Sequence, residues 1–122
     1  MDVTPLVRSG QQIIQSYKGG GFRVSGEVYS GAVIVLPSKT QLWAAAMPLT
    51  LSHFQPLTAM AGDIDVLLIG TGASMVMIPS VLRQQLKEER LIADIMDTGA
   101  ACRTYNVLMA EGRRVAAALL PV

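Results

Sequence analysis

A carboxylate, a hydroxyl, a thiol, a guanidinium, a phenol and a carboxamide fall within one stretch, Asp97-Thr98-Gly99-Ala100-Ala101-Cys102-Arg103-Thr104-Tyr105-Asn106. The stretch follows an apolar run and opens a helix expected over residues 100–111. A thiol near a helix N-terminus is favoured as thiolate, so Cys102 is the candidate nucleophile. Nucleophilic catalysis also needs a base within reach, and the only histidine, His53, lies in a different part of the chain. Without a second histidine or a cysteine or acid cluster beside it, His53 reads as a capping or surface residue and no metal site is expected. Asp97, at a strand end, is the remaining acid-base candidate. No catalytic residue is assigned, and Cys102 reads more simply as a half-buried structural thiol.

A second cluster, Gly70-Thr71-Gly72, closes the aliphatic run Ile64-Asp65-Val66-Leu67-Leu68-Ile69. That run has the composition of a strand covered on both faces. Pro79 suits the start of a helix running to Glu89 with Leu82 and Leu86 on its buried side, and Leu91 to Met96 supplies the next strand. Residues 64–96 therefore form a βαβ unit whose crossover is expected to be right-handed. In that unit both strands end at the same sheet edge, which brings Gly70, Thr71 and Gly72 to Asp97, Thr98 and Gly99. Open α/β sheets commonly bind ligands at this edge. Thr98 is expected to cap the following helix, whose first amides favour an anion or carbonyl oxygen. The competing reading is that the glycines only permit tight turns.

Along that helix Ala101, Tyr105 and Leu108 share a stripe expected on the sheet, while Arg103 and Asn106 point away from it. The candidate binding set is thus Gly70, Thr71, Gly72, Asp97, Thr98, Gly99, Cys102, Arg103, Tyr105 and Asn106. Gly112 ends the helix. Val115 to Leu120 has helical propensity, but it is short and bounded by Gly112 and Pro121, which argues for a strand.

The first third reads as a β-meander. Ile13 to Tyr17, Phe22 to Val24, Glu27 to Tyr29 and Ala32 to Leu36 are strand segments separated by glycine-rich turns, and Gln41 to Ala44 adds another. Gly19 to Gly21 lacks the lysine or spacing of a phosphate-binding loop and reads as a hairpin loop. Trp43 and Tyr29 read as packing residues. Residues 49–62 turn helical, with Pro56 requiring the helix proper to start near Gln55 or follow a separate turn.

The 122 residues are expected to form one domain, since 51% are hydrophobic and only 16% charged, enough apolar surface to offset chain ordering. A net charge of +1 without a basic run excludes nucleic acid as an expected partner. The start, Met1 to Pro5, lacks the pattern of a signal peptide, and no uncharged apolar run reaches the roughly 18 residues of a membrane span. One cysteine permits no internal disulfide, in keeping with a cytoplasmic protein; homo-oligomerisation stays open.

Gly20-Gly21-Phe22, the Gly70-Thr71-Gly72 turn and the long run from Asp97 to Val115 together resemble a small-domain family that contains the mitochondrial complex I assembly factor three and an adipogenesis-associated protein. The resemblance spans residues 13–121. It implies an α/β fold of three layers around a mixed central sheet with flanking helices, with residues 115–120 as a strand. It implies no cofactor and no catalytic residue. Its best-understood branch implies a protein partner and an assembly-assisting role; the crevice at Gly70 to Gly72 and Thr98 to Asn106 keeps a small-molecule binder or enzyme as the alternative.

Overall fold

The computed structural model describes residues 10–122, and the opening residues 1–5, read above as lacking a leader, lie outside that range. The strands are β1 (Ile14–Ser16), β2 (Gly21–Val24), β3 (Glu27–Ser30), β4 (Val33–Val35), β5 (Thr40–Leu42), β6 (Val66–Gly70), β7 (Ala93–Met96) and β8 (Val115–Leu119). The helices are α1 (Gln55–Thr58), α2 (Ser80–Glu88) and α3 (Thr98–Ala110), with 3-10 turns at Leu51–Phe54 and Ala61–Asp63.

Period-two alternation assigns each strand two faces. In β8 Val115, Ala117 and Leu119 join one buried cluster with Tyr105, Met109, Phe22 and Val24. The intervening Ala116 and Ala118 join the other, with Leu82, Leu86, Phe54 and Leu57. β6 divides in the same way, Leu68 to the first cluster and Leu67 and Ile69 to the second. The result is three layers: α1 and α2, then the sheet, then α3 together with a small sheet.

The central sheet has the order β5-β4-β8-β6-β7. β6 is parallel to β7 and to β8, whereas β4 is antiparallel to β8 and to β5, so the sheet is mixed as expected. The expected meander divides in two. β1, β2 and β3 form their own antiparallel sheet, while β4 and β5 join the central one. The break falls at Gly31, whose φ of +90° turns the chain from one sheet to the other.

The region around Pro56 is a 3-10 turn followed by α1, with Pro56 in the first turn of that helix. His53 caps the start of the 3-10 turn: the Thr50 amide donates to His53 Nδ1 at 3.0 Å. Trp43 is buried against Phe54, and its indole N–H donates to the His53 carbonyl at 2.6 Å. Pro79 is the N-cap of α2 rather than a member of its first turn. At the end of α3 the amides of Gly112 and Arg113 donate to Met109 and Leu108, closing the helix with a paired C-terminal turn.

Candidate functional site

The two motif turns meet, and backbone bonds hold them. The Thr98 amide donates to the Gly72 carbonyl at 2.9 Å, and the Gly72 amide donates back to Thr98 Oγ1 at 2.8 Å. Thr98 Oγ1 in turn donates to the Leu120 carbonyl at 2.7 Å, while the Leu120 amide donates to Gly70 at 2.9 Å. One hydroxyl therefore joins the ends of β6, β8 and α3. Thr98 is fully buried.

This geometry corrects the expected helix cap. Asp97 is the N-cap of α3, its carboxylate accepting from the Ala100 amide at 2.9 Å, and Thr98 is already inside the helix. The reason is positional. The Thr98 side chain turns inward, where two buried backbone groups of other segments need it, and the part-buried oxygen next to the free amides belongs to Asp97.

Gly70 and Gly72 answer to two constraints. A Cβ on Gly70 would sit 2.9 Å from the Leu119 side chain and from Cα and Oγ1 of Thr98, so the strand end can touch the helix only without one. Gly72 has a φ of +100°, which side chains rarely tolerate. Gly99 packs beneath Tyr17, whose hydroxyl would lie 2.7 Å from an added Cβ. Glycine here serves close approach within the protein.

Thr71 organises the loop beyond. Its amide donates to Met96 at 3.0 Å and its hydroxyl to Ser74 at 2.8 Å, while the Val76 amide donates to Thr71 Oγ1 at 2.9 Å. The loop so held exposes Met75, Val76 and Met77 to 53%, 41% and 61%. Sequence reasoning passed over these three, although an unbroken apolar triplet between a strand and a helix was a usable signal.

Cys102 is 3% exposed, and burial pushes its thiol up to about 12, against a smaller downward pull from Arg103. Desolvation thus outweighs both the guanidinium and the helix end, and the thiol stays protonated at neutral pH. Tyr105 is fully buried and its phenol also titrates above the ordinary value because of burial. Its hydroxyl donates to the Gln12 carbonyl at 2.9 Å.

Asn106 does not point away from the protein. Its Oδ1 accepts from the Ile14 amide at 2.9 Å and its Nδ2 donates to the Ile14 carbonyl at 2.8 Å, so it clamps β1 against α3. Helical spacing placed it correctly off the central sheet but carried no information about the small sheet lying on that side. Arg103 is exposed, and its Nη1 donates to the Tyr17 hydroxyl at 3.1 Å. No signal in the sequence led to Tyr17, which covers the helix start from just beyond the end of β1. Among the described residues no group of histidine, cysteine and acid side chains could hold a metal ion.

A family described as a protein of unknown function (DUF498/DUF598) matches residues 14–120. The chain belongs to this family. A family relative, an uncharacterised protein of Rhodobacter capsulatus, is 40% identical over 93% of this chain and 88% of its own length. NADH dehydrogenase [ubiquinone] 1 alpha subcomplex assembly factor 3 of Danio rerio is 30% identical over 93% of this chain and 66% of its own length. The human protein of the same name is 29% identical, with 60% of its length covered. The chain thus spans two thirds or less of the assembly factors it matches. Among solved structures, a crystal structure described as an outer membrane protein from Bartonella henselae superposes with a TM-score of 0.85 at 40% identity, covering 93% of this chain and 97% of that one. An NMR structure of a Rhodopseudomonas palustris protein gives 0.80 at 35%, covering 100% and 90%. The family fold is the mixed α/β fold described above, and no helix among the described residues is long and apolar enough to cross a membrane.

Proposed function

We propose that the chain is a protein-binding module that assists the assembly of other proteins, working in the cytoplasm. One observation carries the reading. Met75, Val76 and Met77 stand exposed in succession on a loop fastened by Thr71, and Val81, 67% exposed in the first turn of α2, follows them. Exposed apolar side chains on a fixed support suit a partner surface, and methionine adapts its shape to varied partners at low cost. Of the buried members of the candidate set, Gly70, Thr71, Gly72, Thr98 and Gly99 lie where the ends of β6 and β8 meet the start of α3, and Cys102 and Tyr105 pack into the core under α3. Arg103 offers exposed donors on α3, while Asp97 and Asn106 serve the protein internally. The relatives named as assembly factors support an assembly role, and the single free cysteine is compatible with a reducing compartment.

The test is a set of photocrosslinks from position 77 and, as control, position 39 in the native host. The reading expects one discrete adduct from position 77, abolished by Met75→Ser with Val76→Ser, while the melting temperature stays within a few degrees, as for surface substitutions. Equal adducts from both positions, or an adduct indifferent to the substitutions, would refute it.

A further inference from the structure

Among the described residues nothing pairs with the outer edge of β7. β7 is the last strand in the sheet order, and its one partner among those residues is β6. The carbonyls of Ile92 and Met96 accept from Leu67 and Thr71 of β6 and its following turn. Ladder bonds alternate along a strand, so the amides and carbonyls of Ala93 and Ile95 face outward. Beside this edge runs a groove of about 550 Å³ lined by Ser80, Arg83, Gln84 and Lys87 of α2 and by Leu91, Ile92 and Ala93. Ile92, 69% exposed, forms an apolar lip.

The charge in this groove is one-sided. Arg83 and Lys87, one helical turn apart, are its ionisable lining residues among the described residues, and none of those residues brings a carboxylate to it. Among the described residues the one ion pair joins Arg114 to Asp65, so neither cation is neutralised by a partner there. The acid of the strand lies elsewhere. Ala93 and Ile95 pack toward the α2 side and Met96 toward the α3 side, so alternation puts Asp94 on the α3 side, away from the groove.

We propose that β7 is a docking strand for an extended acidic segment of a partner protein, which adds to the sheet edge and sets carboxylates from alternate residues against Arg83 and Lys87. The inference rests on the protein-binding reading and names a second surface for it. Backbone pairing to Ala93 and Ile95 supplies the affinity that any strand would gain, and the groove supplies the selection. Residues facing the α2 side must be acidic, and those facing Asp94 must be neutral or basic, because like charges opposed across strands repel. A second copy of this chain fits worse. Antiparallel pairing of two β7 strands about an axis normal to the sheet keeps α2 on the same face in both copies and brings the two cation pairs toward each other.

The probe is a pool of blocked hexapeptides with glutamate at alternate positions and valine, threonine or isoleucine between, added at low ionic strength and followed by amide shifts and hydrogen exchange. Saturable shifts at Ala93 and Ile95, with exchange of both amides slowed about ten-fold, are expected, and Arg83→Gln with Lys87→Gln should weaken binding by about ten-fold. A matched pool carrying lysine should not bind. Unchanged exchange at Ala93 and Ile95, equal binding of the lysine pool, or protection that rises with protein concentration in the absence of peptide would each overturn the proposal, the last in favour of self-association. A silent β7 beside a persisting adduct at Met77 would remove this edge and leave the binding-module reading standing.

Discussion

The Asn106 carboxamide pairs with both backbone groups of Ile14, accepting from its amide at 2.9 Å and donating to its carbonyl at 2.8 Å. A side chain thereby imitates a neighbouring strand, and the small sheet is registered on α3 at that point. Asn106→Ala should cost about 1–3 kcal/mol, since it leaves a part-buried donor and acceptor without partners. Native-state hydrogen exchange gives the sharper check: the Ile14 amide should lose protection before the amides of β6 and β8 do. Uniform loss across the molecule would mean that the clamp does not define a separate unit.

Thr98→Val keeps the shape of the side chain and removes its hydroxyl. The Gly72 amide and the Leu120 carbonyl would then be stranded in a buried site, at a combined cost on the order of 2–5 kcal/mol. Thr98→Ser should recover most of it. Denaturant melts of the two variants decide the matter, and equal stability of both would show that the hydroxyl is dispensable.

Gly70→Ala introduces a Cβ against Leu119 and the backbone of Thr98 at 2.9 Å. The Leu119 methyl can rotate, but the helix backbone cannot move without disturbing the Thr98 bonds, so a loss of about 1–3 kcal/mol is expected from overpacking. A melting temperature equal to that of the wild type would contradict the close approach.

Cys102 should react slowly with iodoacetamide at neutral pH in the native state and at an ordinary rate once unfolded. Its folded value near 12 lies above its ordinary value of 9.0, so the contribution to stability is full below about pH 9 and declines as pH rises toward 12. In that window the unfolded thiol ionises while the native one does not, and the slope from this group is about 1.4 kcal/mol per pH unit. Cys102→Ala should flatten the alkaline limb of the stability profile.

Asp65 and Arg114 give the opposite sign. The guanidinium bonds hold the Asp65 carboxyl below its ordinary value of 3.8, so any stability from the pair is present above that value and lost as pH falls through the lowered one. Both side chains are well exposed, and the effect should be small and weaken with salt. Stability curves of wild type and Asp65→Asn should converge in acid.

The βαβ unit was legible because its signals are local: an aliphatic run closed by Gly70, a helix with Leu82 and Leu86 on one side, and a second run before Asp97. Its geometry then forced Gly72 and Thr98 together. The misreadings share a different cause. Which oxygen caps α3 depends on whether Thr98 is needed elsewhere, and that need comes from Leu120, a distant residue. Asn106 reads only as pointing away from the central sheet, because helical periodicity reports a direction and not what lies in that direction. β4 was placed in one meander with β3 because a hairpin and a change of sheet both begin with a glycine turn, and only the burial of both faces of β4 separates them.

The position of β8 bears on how the protein comes into being. Residues 115–119 are last among the strands in sequence, yet they lie between β4 and β6 at the middle of the sheet. Until the ribosome has released them, β4 and β6 have no common neighbour, and each presents an unpaired inner edge and an apolar surface to the cell. The nascent chain therefore cannot acquire its sheet by stages from the N-terminal side. At a synthesis rate of about 5–20 residues per second it passes several seconds in that exposed condition, during which chaperone capture competes with premature association. A stop a few residues before Val115 should yield not a shortened domain but a substrate for proteolysis.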